Sequence, residues 1–175
     1  MKKPTVQPKN VERQVPQGGL LVSKTDLRGV ITYANPVFIG VSGYSEEELI
    51  GSPHNIVRHP DMPRTIYKIL WSHIQGGDEV FAYAKNLAKD GSYYWVFAHV
   101  YPVSGGYQSD RRAVEKREVL SSVIEPLYRK LREIESSLGL EKAVEYLNNL
   151  VREKGFSEYN EFIFKLEFNN LGGGQ

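Results

Sequence analysis

Two hydrophobic periods divide the chain. Short β-rich runs, Leu20-Leu21-Val22-Ser23 and Val30-Ile31-Thr32-Tyr33, flank Thr25-Asp26-Leu27-Arg28-Gly29, whose Asp and Gly predict a tight turn. Asn35-Pro36 then reads as a helix start, with Asn as N-cap and Pro at the first helical position. That helix carries Val37, Phe38 and Val41 and stops at Gly43, while Ser45-Glu46-Glu47-Glu48 predicts a capping box opening a second short helix that ends near Gly51. Ile66, Ile69, Leu70, Trp71 and Ile74 recur at helical spacing until Gly76-Gly77. The period then drops to two. Residues 79–87 and 92–101 predict strands joined by Lys89-Asp90-Gly91-Ser92, and a third strand, Gly106 to Arg111, follows the brief Ser104-Gly105 turn. Two strands, several short helices and three more strands predict one antiparallel sheet of α+β class with helices on one face.

From Ala113 the helical period returns. Leu120, Ile124, Leu127, Leu131, Ile134 and Leu138 form a heptad-like stripe, which Pro126 should kink and Gly139 should end. Leu140, Val144, Leu147 and Val151 mark a second amphipathic helix, and Phe156, Tyr159, Phe162, Ile163 and Leu166 a third. Residues 1–18, rich in Pro, Gln, Lys and Gly without periodicity, read as a flexible leader. The expected organisation is therefore leader 1–18, sheet domain 19–112, helical segment 113–170 and tail 171–175.

The helices and strands are interrupted by a polar segment, His54-Asn55-Ile56-Val57-Arg58-His59-Pro60-Asp61-Met62-Pro63. Its prolines forbid a continuous helix and fix local dihedrals, so two imidazoles, a guanidinium, a carboxylate and an amide sit on a shaped loop. Such a loop either holds a ligand or holds itself together, for example through an ion pair between Arg58 and Asp61.

Composition narrows the chemistry. Among 175 residues, 22 are Lys or Arg and 21 are Asp or Glu, so no broad basic footprint for nucleic acid or anionic membrane is present. Cysteine is absent, which excludes disulfides, thiolate metal sites and cysteinyl–flavin photochemistry. No metal-ligand cluster, nucleophile elbow or P-loop stands out, so an enzyme is not expected. No apolar run approaches the ~18 residues of a membrane span, and the start lacks a signal-peptide core. The expected protein is soluble and cytoplasmic.

Alternation along the hairpin places Val80, Ala82, Ala84 and Asn86 on one face with Tyr94, Val96, Ala98 and Val100. The alanines leave volume in an interior that otherwise packs densely, and a planar cofactor or bulky helix residues such as Phe38, Ile66 and Trp71 would fill it. Asn86, the amide on that face, needs a partner from backbone or ligand. The opposite face is an aromatic row of Phe81, Tyr83, Tyr93, Trp95, Phe97, His99 and Tyr101, which should be covered by the leader, a C-terminal helix or a second subunit.

Several of these motifs carry a resemblance. Thr25-Asp26-Leu27-Arg28-Gly29-Val30-Ile31-Thr32-Tyr33-Ala34-Asn35, Val41-Ser42-Gly43-Tyr44, and the segment Pro53 to Pro63 with its Arg-His-Pro-Asp-Met-Pro resemble a PAS domain, and more narrowly the FAD-binding PAS domain of bacterial aerotaxis receptors. Lys85-Asn86, Asp90-Gly91, Tyr94-Trp95-Val96, Gly106-Tyr107 and Ile124-Glu125-Pro126-Leu127-Tyr128 extend the likeness over about residues 20–131. The resemblance implies a five-stranded antiparallel PAS sheet followed by C-terminal helices. It also implies a cytoplasmic sensor that holds FAD non-covalently and reports redox or oxygen status to chemotaxis machinery.

It places Arg58, His59 and Asp61 in flavin retention or signalling. The remaining candidate cofactor-binding residues are Asn35, Trp71, Ala82, Asn86 and Ala98; no metal ligand is expected. The sequence departs from the family at Val80, where aerotaxis-type domains commonly carry a tryptophan near the ring, and in its short Ser104-Gly105 turn. Two alternatives stand beside FAD: heme b held by His54, His59 or His73, and a cofactor-free dimerisation or docking module. Expected partners are a separate chemotaxis or signal-transduction protein and a second copy of the chain, meeting through the PAS domain or the C-terminal helices.

Overall fold

The computed structural model describes residues 5–168. Five antiparallel strands form one sheet: β1 (Leu21–Asp26), β2 (Ile31–Ala34), β3 (Val80–Leu87), β4 (Tyr93–Val103) and β5 (Gly106–Ala113), in the order β2-β1-β5-β4-β3. The last strand thus slides between the first hairpin and the second, with Leu21 opposite Arg111 and Ser23 opposite Ser109. Between β2 and β3 the chain crosses the sheet through α1 (Pro36–Ser42), α2 (Glu46–Leu49), a single 3₁₀ turn (His54–Val57) and α3 (Arg64–Gln75).

The local signals act as their chemistry requires. Asn35 Oδ1 accepts from Phe38 N at 3.0 Å and caps α1, which Gly43 ends at φ 76°. Ser45 and Glu48 close a reciprocal capping box on α2. Between α2 and α3 the backbone is held by isolated bridges, Val30 with Pro53 and Arg58 with Asn86, which fasten the polar segment at its start and at its middle.

The two sheet faces are packed differently. On one, Phe38, Leu49, Ile56 and Val57 meet Leu21, Ile31, Tyr94 and Val96 in a small core. On the other, the aromatic row is roofed by the C-terminal helices α5 (Glu125–Leu138) and α7 (Tyr159–Phe168), with α6 (Leu140–Glu153) packed against α5, α3 and α7. Phe81 meets Phe164 at 5.3 Å between ring centroids, Phe97 meets Phe168 at 5.4 Å and Trp95 meets Tyr128 at 6.2 Å. Glu167 is buried there with its carboxylate satisfied by Tyr83 Oη at 2.8 Å, Glu115 N at 2.7 Å and the more distant Arg112. Burial, followed by Glu167, drives the Tyr83 phenol far above its ordinary value.

The chain's own helices therefore supply the expected cover. The heptad-like stripe is spent on this packing: Leu120 through Ile134 are buried, whereas Leu138 is 67% exposed. Pro126 produces a π-helical turn, Leu120–Ile124, between a short α4 (Arg117–Val119) and α5. Its ring would clash with the carbonyl four residues back, and the wider turn gives it room.

The leader departs from expectation. Lys9 N donates to Gly91 O at 2.8 Å, Tyr93 N to Val11 O at 2.9 Å and Arg13 N to Tyr93 O at 2.7 Å. A Cβ on Gly91 would stand 2.3 Å from Gln7 O, so only glycine allows this approach. Low hydrophobicity suggested disorder, but extended backbone pairing needs no apolar side chains. The tail 171–175 and the first residues of the leader lie outside the described residues. Among those described, no helix is long and apolar enough to cross a membrane.

Candidate functional site: a cavity over the small-residue face

Ala84 on β3, Ala98 and Val100 on β4 and Tyr107, Ser109 and Arg111 on β5 form the sheet side of a cavity of about 280 Å³. His54, Asn55, Val57 and Arg58 of the polar segment and Tyr67, Leu70, Trp71 and Ile74 of α3 form the other side. The alternation that brings small residues to the β3–β4 face is what opens this space; larger side chains would close it. Trp71 stands edge-on to Tyr107 with centroids 5.6 Å apart, and its ring would lie 3.1 Å from any Cβ on Gly29, which also holds φ 84°. The turn glycine thus has two reasons to be glycine, one of them the cavity wall.

The buried charged group of the cavity is Arg111, 2% exposed. Its Nη2 donates to Ser23 Oγ at 2.8 Å and its guanidinium lies 4.1 Å from the Phe38 ring centroid, but Nε and Nη1 are buried without a hydrogen-bond partner. Burial pulls its pKa down to about 10. Ser23 Oγ also lies 2.8 Å from His54 Nε2. A guanidinium only donates, so Ser23 Oγ accepts from Arg111, and toward a neutral imidazole it can send its own proton to His54 Nε2. Burial, then the Arg111 charge, lowers His54 to about 3, in agreement with that assignment. Asn86, 5% exposed, lies beside Tyr94, whose hydroxyl burial pushes up to about 12.

Of the residues expected from sequence, Arg58, Trp71, Asn86 and Ala98 line this cavity together. Arg58 lies over the Tyr67 ring, 4.2 Å from its centroid, and burial raises that phenol to about 12. Asn35, His59, Asp61 and Ala82 do not line it. Asn35 is consumed by capping α1 and by bonds to Val22 N and Leu20 O. His59 is buried elsewhere: its Nδ1 accepts from Asp61 N at 2.9 Å and its ring packs edge-on to Tyr93. Ala82 shares the inward register but sits in the neighbouring packed cluster with Val80, which is likewise outside the lining. The missing family tryptophan therefore falls beside the cavity.

Asp61 faces away from the cavity and fastens the segment. Its carboxylate meets Lys85 Nζ at 2.9 Å; burial works to raise its pKa, yet Lys85 and the neighbouring cations hold it below the carboxylate norm. Lys85 thus forms an ion pair with Asp61. From α5, Arg132 donates to Asp61 O, and the Glu135 carboxylate accepts from Thr65 N at 2.9 Å, Thr65 Oγ1 at 2.6 Å and Arg64 N at 3.1 Å. A side chain of the C-terminal segment therefore caps α3.

Residues 31–113 match the family model described as PAS fold. They form a PAS domain. Over 129 residues, 71% of this chain, the sequence is 39% identical to the aerotaxis receptor of Escherichia coli, and it is 34% identical over 89 residues, 51% of the chain, to the nitrogen fixation regulatory protein of Klebsiella pneumoniae. The PAS chain spans only 25% and 18% of those proteins. Among solved structures, the PAS domain of a Colwellia psychrerythraea protein aligns with TM-score 0.51 and 27% identity, covering 56% of this chain and 88% of that one. In sequence the domain is therefore similar to the PAS domain of the aerotaxis-receptor type.

Sequence reasoning missed Arg111, Ser23 and the Glu135 cap. Carrying the alternation along β5 puts Tyr107, Ser109 and Arg111 on the inner face, and an arginine in that register was the available signal. No local pattern announces a cap supplied 70 residues away.

Proposed function

We propose that this PAS domain holds FAD non-covalently in the cavity and relays its redox state, through the C-terminal helices, to a separate signalling partner. The observation that carries the reading is the cavity itself: an alanine floor, aromatic walls and buried donors without partners suit a planar heteroaromatic ring with an acceptor edge. About 280 Å³ is the scale of a ring system, with the remainder of a dinucleotide directed to the rim where Arg58 and the exposed Arg28 lie. The resemblance of the polar segment to aerotaxis-type flavin domains supports the same choice. Bound there, the flavin would supply a ring whose charge and protonation change with its redox state.

The protein's own groups provide a route outward. Arg58 pairs with Asn86 through backbone, Lys85 N donates to Met62 Sδ at 3.3 Å, and Asp61 binds Lys85. Movement of the cavity-lining half of the segment is therefore shared with β3 and with α5, where Arg132 and Glu135 grip the segment and α3. We place the output on that helical surface, with a cytoplasmic partner and a second copy of the chain as the candidate contacts.

Heme b has less support. His54 is the one histidine lining the cavity among the described residues, and its Nε2 is engaged by Ser23; His73 Nδ1 lies 2.8 Å from Ile69 O, on another surface. The test is reconstitution of the purified chain with FAD and, separately, with hemin. Retention of FAD through desalting, with its flavin absorbance, supports the proposal; a Soret band with no flavin uptake overturns it.

A further inference from the structure

Arg111 is the buried charge for which the fold provides an incomplete set of partners. A guanidinium has five N–H donors and cannot relinquish its charge in this setting, so two buried nitrogens without acceptors carry a desolvation cost that a bound acceptor would relieve. It is also held in place. Ser23 accepts from Nη2, Phe38 lies against its face, and the strand pairing Leu21–Arg111 sets its register at the centre of the sheet. Among the described residues lining the cavity there is no carboxylate that could neutralise it. The nearby titratable groups are His54 from the polar segment, Tyr94 from β4 and Asp110 from its own strand; His54 is neutral, and Tyr94 keeps its proton under burial. The cavity is therefore an electropositive pocket around a pre-oriented fork.

We propose that Arg111 is the specificity-determining residue of the cavity, pairing with an anionic acceptor group of a planar heteroaromatic ligand and so favouring the reduced over the oxidised form of a bound flavin. This rests on the flavin reading above. Reduction by two electrons and one proton leaves the flavin ring a monoanion, with the charge on its pyrimidine edge, whereas the oxidised ring is neutral there. A fixed cation in a low-dielectric wall binds the first more strongly than the second. Arg58 would not substitute for it, because its guanidinium stacks on Tyr67 nearer the rim.

The experiment compares FAD binding to the purified full chain in oxidised and in dithionite-reduced, anaerobic solution, for wild type, Arg111→Lys and Arg111→Gln. The wild type is expected to bind reduced FAD at least tenfold more tightly than oxidised FAD. Arg111→Gln should abolish that preference, and Arg111→Lys, which keeps the charge but not the fork, should restore part of it. Equal affinities of the wild type for the two forms overturn the inference without recourse to any variant, so a poorly folded Arg111→Gln does not obstruct the test. An Arg111→Gln protein that keeps the full preference also overturns it while leaving the flavin reading intact. Failure of the wild type to bind FAD in either state overturns both, and is distinguishable from the other outcomes.

Discussion

The two faces of one sheet meet opposite demands. The outer face is a closed aromatic interface in which the buried Glu167 has its acceptors met by Tyr83 and the Glu115 amide, although the Tyr159 hydroxyl is buried without a partner. The inner face leaves a cavity between Ala84, Ala98 and α3, and strands two nitrogens of Arg111 without partners. Natural interiors rarely tolerate either feature without a reason. The contrast teaches where stability and where function reside: the outer face is built to hold, the inner face to receive.

Truncation on the outer face should have the largest effect on stability. Phe97→Ala removes a 3%-exposed ring packed between Tyr83, Phe81 and Phe168, and we expect a loss of about 3–5 kcal/mol in urea unfolding. A loss under about 1 kcal/mol would break the division between the faces. Ala98→Leu on the inner face tests the other half. It should reduce FAD affinity by at least tenfold, equivalent to about 1.4 kcal/mol, while the unfolding midpoint moves little, since the added methylenes enter a cavity instead of a filled core.

Acidification probes the inner face differently. His54 is held at about 3, well below the ~6.5 of an exposed histidine, so on lowering the pH the unfolded chain takes up the proton first. Stability should therefore fall as pH drops from about 6.5 toward about 3, by on the order of 1–2 kcal/mol between pH 7 and pH 5. The measurement is the difference in urea midpoints between those pH values for wild type and His54→Gln; the same pH slope in both would contradict the buried neutral imidazole. The smallest effect is expected where the faces communicate. Glu135→Ala removes the carboxylate that caps α3 and should cost about 1 kcal/mol. If FAD binding and the α5 contacts are joined through this cap, hydrogen exchange at Arg64 and Thr65 should rise in the variant.

The contrast between faces was readable from alternation alone, because Ala82, Ala84 and Ala98 fall on one side and Phe81, Tyr83, Trp95 and Phe97 on the other. The caps at Asn35 and Ser45 and the stop at Gly43 were equally legible, being set by neighbours in sequence. The site was legible only in part. Arg58, Trp71, Asn86 and Ala98 do meet at one cavity, but the polar segment faces two ways: its first half lines the space, and His59 and Asp61 turn toward Tyr93, Lys85 and α5. That split depends on tertiary partners, as does the docking of the leader beside β4 through backbone bonds that leave no side-chain pattern. No local pattern sets Arg111 apart, because its burial depends on the sheet order that places β5 between β1 and β4.

The most direct measurement is the visible absorbance spectrum of the purified full chain, desalted after incubation with FAD, followed by release of any bound cofactor on denaturation. The account predicts a structured flavin band and close to one FAD released per chain, with the yield sharply reduced in Ala98→Leu. A colourless wild-type protein that releases no FAD, or an Ala98→Leu chain that retains it in full, would contradict the assignment of the inner face as a flavin site.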